Sequence, residues 1–177
     1  IMPRSYTLDG IGVNSNLNLE DFGGDGNGEG LTEEVVSKQT MVIMVGLPGS
    51  GKSSFTSKLV ETAGLGEARF LVVNQDRLKT KAKCEELVVK AIAMGFNVVV
   101  DRTNVLVNDR VFWTMLGREH GLTNIVVVYM DTDPDLCEKR CDGREHHETV
   151  RNVRDAKMII NKMRNELIVP ATGEAGV

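Results

Sequence analysis

Met41-Val42-Ile43-Met44-Val45-Gly46-Leu47-Pro48-Gly49-Ser50-Gly51-Lys52-Ser53-Ser54 is the stretch on which the fold turns. Five apolar residues in a row, Val and Ile among them, predict a strand buried on both faces. They run directly into G-x-x-x-x-G-K-S over Gly46–Ser53, and helix-like sequence begins at Lys52. Glycines let successive backbone N–H groups turn inward around an anion. The following helix offers its unpaired N-terminal amides and the positive end of its dipole to the same anion. Gly46, Pro48, Gly49, Ser50, Gly51, Lys52, Ser53 and Ser54 are therefore expected to cradle the phosphates of a nucleoside triphosphate. Lys52 reaches the β- and γ-phosphates as a point charge, and Ser53 supplies a hydroxyl to Mg²⁺.

Downstream of the loop, apolar runs alternate with helical patterns. Phe70–Val73, Asn97–Val100 and Ile125–Met130 read as strands. Lys52 to about Ala63, Thr80–Met94, Asp109–Glu119, Pro134–Cys141 and Glu148–Leu167 read as helices. Near-continuous Val/Ile strands separated by helices predict an α/β fold, a parallel sheet covered on both faces. Ligands of such sheets bind at the carboxyl ends of the strands, where Gly46, Asp76, Asp101 and Asp131 all fall. The first three are expected to share one crevice. Residues 1–39 read as an N-terminal extension ending in the linker-like Phe22–Gly30 run, 40–170 as the folded domain and 171–177 as a tail.

Composition is that of an ordinary globular domain, 41% hydrophobic and 26% charged. No apolar run is long enough to span a membrane, and no secretory signal pattern is present. With a net charge of −4, a nucleic-acid partner must be held by a local basic surface rather than by the whole molecule. Three cysteines in no disulfide spacing suit a reducing, intracellular compartment. Cys137 and Cys141 with His146 and His147 raise a zinc site, but the spacing fits no common finger. They read instead as two small apolar residues on one helix face beside exposed histidines. The start at Ile1-Met2 suggests a piece of a longer protein.

Phosphoryl transfer needs a phosphate cradle, a metal, an acid that orients the acceptor, and positive charge over the γ-phosphate. Asp76, just past the second strand, is placed to take a proton from an acceptor hydroxyl; its structural alternative is a helix N-cap. Asp101 ends the third strand, where an acid organises Mg²⁺ through bound water or simply closes a turn. Arg102, Thr103 and Asn104 follow it at the same edge. Arg140 and Arg144, four apart, are candidates for a flap that closes over the triphosphate, or for a solvated charged helix.

Gly46–Ser54, Val73–Cys84 and Val98–Asn104, three blocks in order, resemble the kinase domain of the P-loop polynucleotide 5′-kinases, above all that of the polynucleotide kinase-phosphatases. The likeness covers about Thr40 to Pro170. The third block of those kinases usually reads Asp-Asn-Thr-Asn; Arg102 here is nearer the Asp-Arg form of tRNA ligase and plant aprataxin-like kinase domains. The resemblance implies a P-loop NTPase-like sheet with a helical lid, and ATP with Mg²⁺ as donor. It implies Lys52, Asp76 and Arg140 as catalytic residues, Asp76 being the general base, and Arg140 with Arg144 as lid arginines. Ser53 and Asp101 would serve the metal. Lys79, Lys83, Arg102 and Asn104 would serve the nucleic acid, with Lys81 completing a basic track. The acceptor so implied is a 5′-hydroxyl end of DNA or RNA, in a repair or RNA-processing protein of the nucleus or cytoplasm. A small-molecule kinase and a catalytically silent nucleotide- or RNA-binding module are the alternatives. Val126–Asp133 superficially resembles a phosphoaspartate phosphatase start, but Pro134-Asp135 follows where Gly-Thr or Gly-Val should stand.

Overall fold

The computed structural model describes residues 6–8, 11–13, 39–64, 68–142, 153–171 and 174. Its centre is a four-stranded, wholly parallel sheet made of β3 (Thr40–Val45), β4 (Phe70–Asn74), β5 (Asn97–Asp101) and β6 (Asn124–Tyr129), in the order β4-β5-β3-β6. The strand before the phosphate loop is thus interior, with a neighbour on each side. Its residues 41–45 are all buried, as a two-faced apolar run requires. Two short strands, β1 (Tyr6–Leu8) and β2 (Ile11–Val13), form a separate antiparallel pair.

Side chains alternate across the sheet with the period-2 pleat. Met41, Ile43, Leu71, Val73, Val98 and Val100 face α3 (Lys81–Ala93) and α4 (Val107–Glu119), packing on Leu87, Val88, Ala91, Ile92 and Trp113. Val42, Met44 and Val99 face the other way, toward Leu59 of α1 (Lys52–Ala63). The expected sheet with helices on both faces is what forms. A single helical turn, α2 (Gln75–Leu78), was not anticipated. It is capped by Asn74, whose side chain accepts from the Arg77 N–H at 3.3 Å.

The last two helices, α5 (Pro134–Asp142) and α6 (Val153–Glu166), pack on each other and on the phosphate loop. Leu47 of the loop, Cys137 and Cys141 of α5 and Ile160 of α6 form one buried cluster. The two cysteines are therefore apolar packing residues four apart on one helix face, as read from their spacing; His146 and His147 lie outside the described residues. Among the described residues no helix is long and apolar enough to cross a membrane.

Candidate active site

The loop from Gly46 to Gly51 closes over the carboxyl end of β3. Gly49 and Gly51 hold φ of +79° and +101°, which L side chains rarely adopt. Lys52, first residue of α1, folds back under the loop. Its ammonium donates to the carbonyls of Leu47 at 2.7 Å and Gly46 at 3.0 Å. Burial pushes the Lys52 amine below the ordinary lysine value, and Asp101 is the strongest of the groups pulling it back up.

Asn74 and Asp101 are register partners on adjacent strands, so their side chains meet at the sheet edge. The Asn74 amide donates to the Asp101 carboxylate at 3.0 Å. Asp101 is buried, and this bond fixes its orientation toward the loop. Asp76 sits one turn beyond, in the first turn of α2 and exposed. Because Asn74 is the N-cap, the capping alternative for Asp76 falls away. Both carboxylates act electrostatically on Lys52.

These groups line one cleft of about 480 Å³, with Gly49, Gly51, Lys52, Ser53, Asp76 and Asp101 on its walls. The expected convergence of Gly46's loop, Asp76 and Asp101 is thus found. Asp131 is apart from it, accepting from the Tyr129 hydroxyl at 3.4 Å. The far wall is a face of α6, Ile159, Lys162, Met163 and Glu166. The sequence pattern predicts α6 as a helix but not as part of the site. The signal was present in the 159/162/163/166 spacing, which marks one helix face, although spacing alone does not say what that face meets.

A second, more open hollow shares Gly51 with the cleft and is lined by Ser50, Ser54, Phe55, Met130, Thr132 and Arg140. Arg140 lies over the loop, its Nη1 donating to the Gly49 carbonyl at 3.4 Å. Thr132 donates its hydroxyl to the Ser50 carbonyl at 2.9 Å, tying the segment before α5 to the same loop. Arg144, the other expected lid arginine, lies outside the described residues.

The four residues read as nucleic-acid contacts separate. Arg102 lines the cleft, its guanidinium 5.5 Å from the Trp113 ring centre and its buried Nη1 without a protein partner. Lys79 and Lys83 are exposed but outside the cleft wall. Lys81 is turned onto the Phe112 ring at 3.4 Å. Asn104 corrects the expectation. It is buried, donates to the Met44 carbonyl at 2.8 Å and accepts from the Trp113 indole N–H at 3.1 Å. Its side-chain hydrogen bonds are committed to the fold. Positive charge in the cleft comes instead from Lys52, Arg102 and Lys162.

A model of the AAA domain family matches residues 75–166, just over half of the chain. The chain belongs to the AAA domain family. It is also 34% identical over 136 residues to a protein of Acanthamoeba polyphaga mimivirus named "Putative bifunctional polynucleotide phosphatase/kinase", an alignment covering 75% of this chain and 30% of that protein. It is 27% identical over 136 residues to the bifunctional polynucleotide phosphatase/kinase of Schizosaccharomyces pombe, covering 77% of this chain and 31% of the relative. The chain thus spans about 30% of the length of these curated relatives. A chain in the solved structure of the Pnkp1/Rnl/Hen1 complex shares the fold, with a TM-score of 0.50 and 23% identity over 64% of this chain and 43% of that one.

Proposed function

We propose that this domain transfers the γ-phosphate of ATP to the 5′-hydroxyl end of a nucleic acid. The observation that carries the proposal is the single cleft in which the Lys52 loop, Asp76 and Asp101 face one another. Names of the relatives favour a polynucleotide acceptor over a compact alcohol. The intact Lys52, Ser53, Asp76 and Asp101 set argues for a working kinase rather than a silent binding module.

In this reading the loop amides and Lys52 hold the β- and γ-phosphates. Ser53 and Asp101 are oxygen donors of the kind Mg²⁺ takes alongside substrate phosphates and water. The ion would neutralise charge on the bridging and γ-oxygens. Asp76 orients the acceptor hydroxyl and receives its proton as the 5′ oxygen bonds to the γ-phosphorus. The bond from that phosphorus to the β–γ bridging oxygen breaks, and ADP leaves. Arg140, over the loop from α5, adds positive charge on the donor side, with Arg144 assigned to the same lid. The Arg140 hollow suits the donor nucleoside, while the cleft with Asp76 and Arg102 suits the acceptor. Lys79 and Lys83 would then touch only a strand that extends beyond the cleft. We assign the domain to a longer intracellular protein of nucleic-acid repair or RNA processing.

Labelled γ-phosphate ATP, offered with 5′-hydroxyl and 5′-phosphorylated DNA and RNA oligonucleotides, tests the reading. Label is expected on the 5′-hydroxyl strands alone. Transfer to none of them, or to small alcohols only, would overturn it.

A further inference from the structure

The cleft wall that carries Arg102 and Thr103 is the connection between β5 and α4, and it is held from below. Helix α4 has no side-chain N-cap; Leu106 stands at that position. The work of fixing the connection falls to Arg110, one turn into α4 and fully buried. Its Nη1 donates to the carbonyls of Asn104 at 3.0 Å and Val105 at 3.1 Å. Asn104, at φ +42°, is pinned by Met44 and Trp113, while the Thr103 carbonyl accepts from the Gly46 N–H of the phosphate loop at 3.0 Å.

The C-terminal segment after α6 reaches the same place twice. The Ile168 N–H donates to the Val105 carbonyl at 3.1 Å. Glu174 takes the rest of the Arg110 guanidinium in a two-pronged pair, Nε to Oε2 at 3.0 Å and Nη2 to Oε1. The Arg110 side chain has no exposure to water and that of Glu174 only 10%, so the carboxylate is what makes the buried cation tolerable.

We propose that Arg110 and Glu174 are a positioning couple for the transfer reaction. Arg110 holds the Arg102–Val105 wall of the cleft by two carbonyls, and Glu174 on the C-terminal segment holds Arg110. The consequence for turnover rests on the kinase reading; the hold on the wall does not. Ile168 and Glu174, beyond α6, thereby belong to the functional unit.

A double variant, Arg110→Met with Glu174→Met, separates this role from simple support. It removes both charges together, so no uncompensated ion is left in the core and the melting temperature should stay near wild type. The Asn104 carbonyl nevertheless loses its Arg110 donor, and the Val105 carbonyl is left with the Ile168 N–H alone. Acceptor kcat/KM is expected to fall tenfold or more and ATP affinity by less, because the Lys52 bonds to Gly46 and Leu47 remain and only the Gly46–Thr103 bond ties the loop to the wall. Trp113 is the sole tryptophan and is bonded to Asn104, so its fluorescence reports on the wall without any substrate. Acrylamide quenching of Trp113 should rise in the double variant. A folded double variant with wild-type quenching and wild-type acceptor kcat/KM would overturn the proposal. If it fails to fold, Glu174→Gln, which keeps the size and one hydrogen bond, is read by the same quenching, with the same outcomes deciding. A wild-type protein that phosphorylates no 5′ end would remove the kinase reading, and the quenching result would still decide the couple.

Discussion

Replacing Gly49 by alanine adds one methyl group at the tightest point between the phosphate loop and α5. The new carbon would lie 2.4 Å from the Cys137 carbonyl oxygen and 3.0 Å from the Cys141 sulfur. A carbon and a carbonyl oxygen ordinarily approach to about 3.3 Å, so α5 must back away or the loop must open. Neither neighbour is the loose end of a side chain; one is helix backbone and the other a buried thiol. The φ of +79° adds a left-handed penalty of about 1–2 kcal/mol for an L residue. Overpacking of this kind costs about 1–3 kcal/mol more. Together these amount to about 2–5 kcal/mol, or roughly 30- to 5,000-fold in nucleotide affinity where the loop absorbs the strain. Gly51→Ala is the control for overpacking: at φ +101° it bears a left-handed penalty of the same kind, but its methyl meets only Met130 at 3.7 Å and Arg140 at 3.8 Å, ordinary contacts. Titration of ATP by calorimetry and melting of the ligand-free protein should show Gly49→Ala falling below Gly51→Ala in both. Equal values for the two variants would refute the claim that α5 is seated on the loop.

Three further outcomes rest on the same geometry. Lys52 must be charged to hold phosphate, and burial lowers its pKa, so ATP affinity should decline on the alkaline side before pH reaches the ordinary lysine value of about 10.4. The unfolded chain binds that proton more tightly, so this group opposes folding below its native pKa and ceases to do so above the ordinary value. Asp101→Asn removes the strongest raising influence and should move the decline to lower pH, measured as Kd against pH; an unmoved profile would contradict it. Ile160→Ala empties a fully buried site shared with Leu47 and Cys137, and should cost about 2–5 kcal/mol in denaturant unfolding, with ATP affinity falling because Leu47 is in the loop.

The sheet was legible because its information is local. Met41–Val45 and Val98–Val100 are apolar on every residue, and a strand buried on both faces needs nothing else to be recognised. The phosphate loop, Asp76 and Asp101 were legible because parallel topology brings strand ends together whatever the intervening helices do. What escaped was settled by long-range packing. Arg110 stands in a helix beside Asp109 and reads as a solvated charge until Glu174, far along the chain, is seen to neutralise it. Asn104 sits among polar neighbours at an active edge, yet its positive φ turns its amide into the core. Lys79, Lys81 and Lys83 are exposed, but their closeness in the chain does not fix how they lie on the surface. Lys79 ends one helical turn, while Lys81 and Lys83 lie two apart on the next helix and so do not share a face of it. The α2 turn was too short to show a period, although Asn74 is an ordinary capping residue.

Single-turnover transfer from labelled ATP to a 5′-hydroxyl oligonucleotide, wild type beside Asp76→Ala, tests the central claim most directly. The claim is that Asp76 serves the acceptor and Lys52 the donor within one cleft. The account predicts transfer by the wild type, a loss of about 10²- to 10⁴-fold in Asp76→Ala, and unchanged ATP affinity in that variant. Full-rate transfer by Asp76→Ala, or a loss explained by weakened ATP binding, would contradict it.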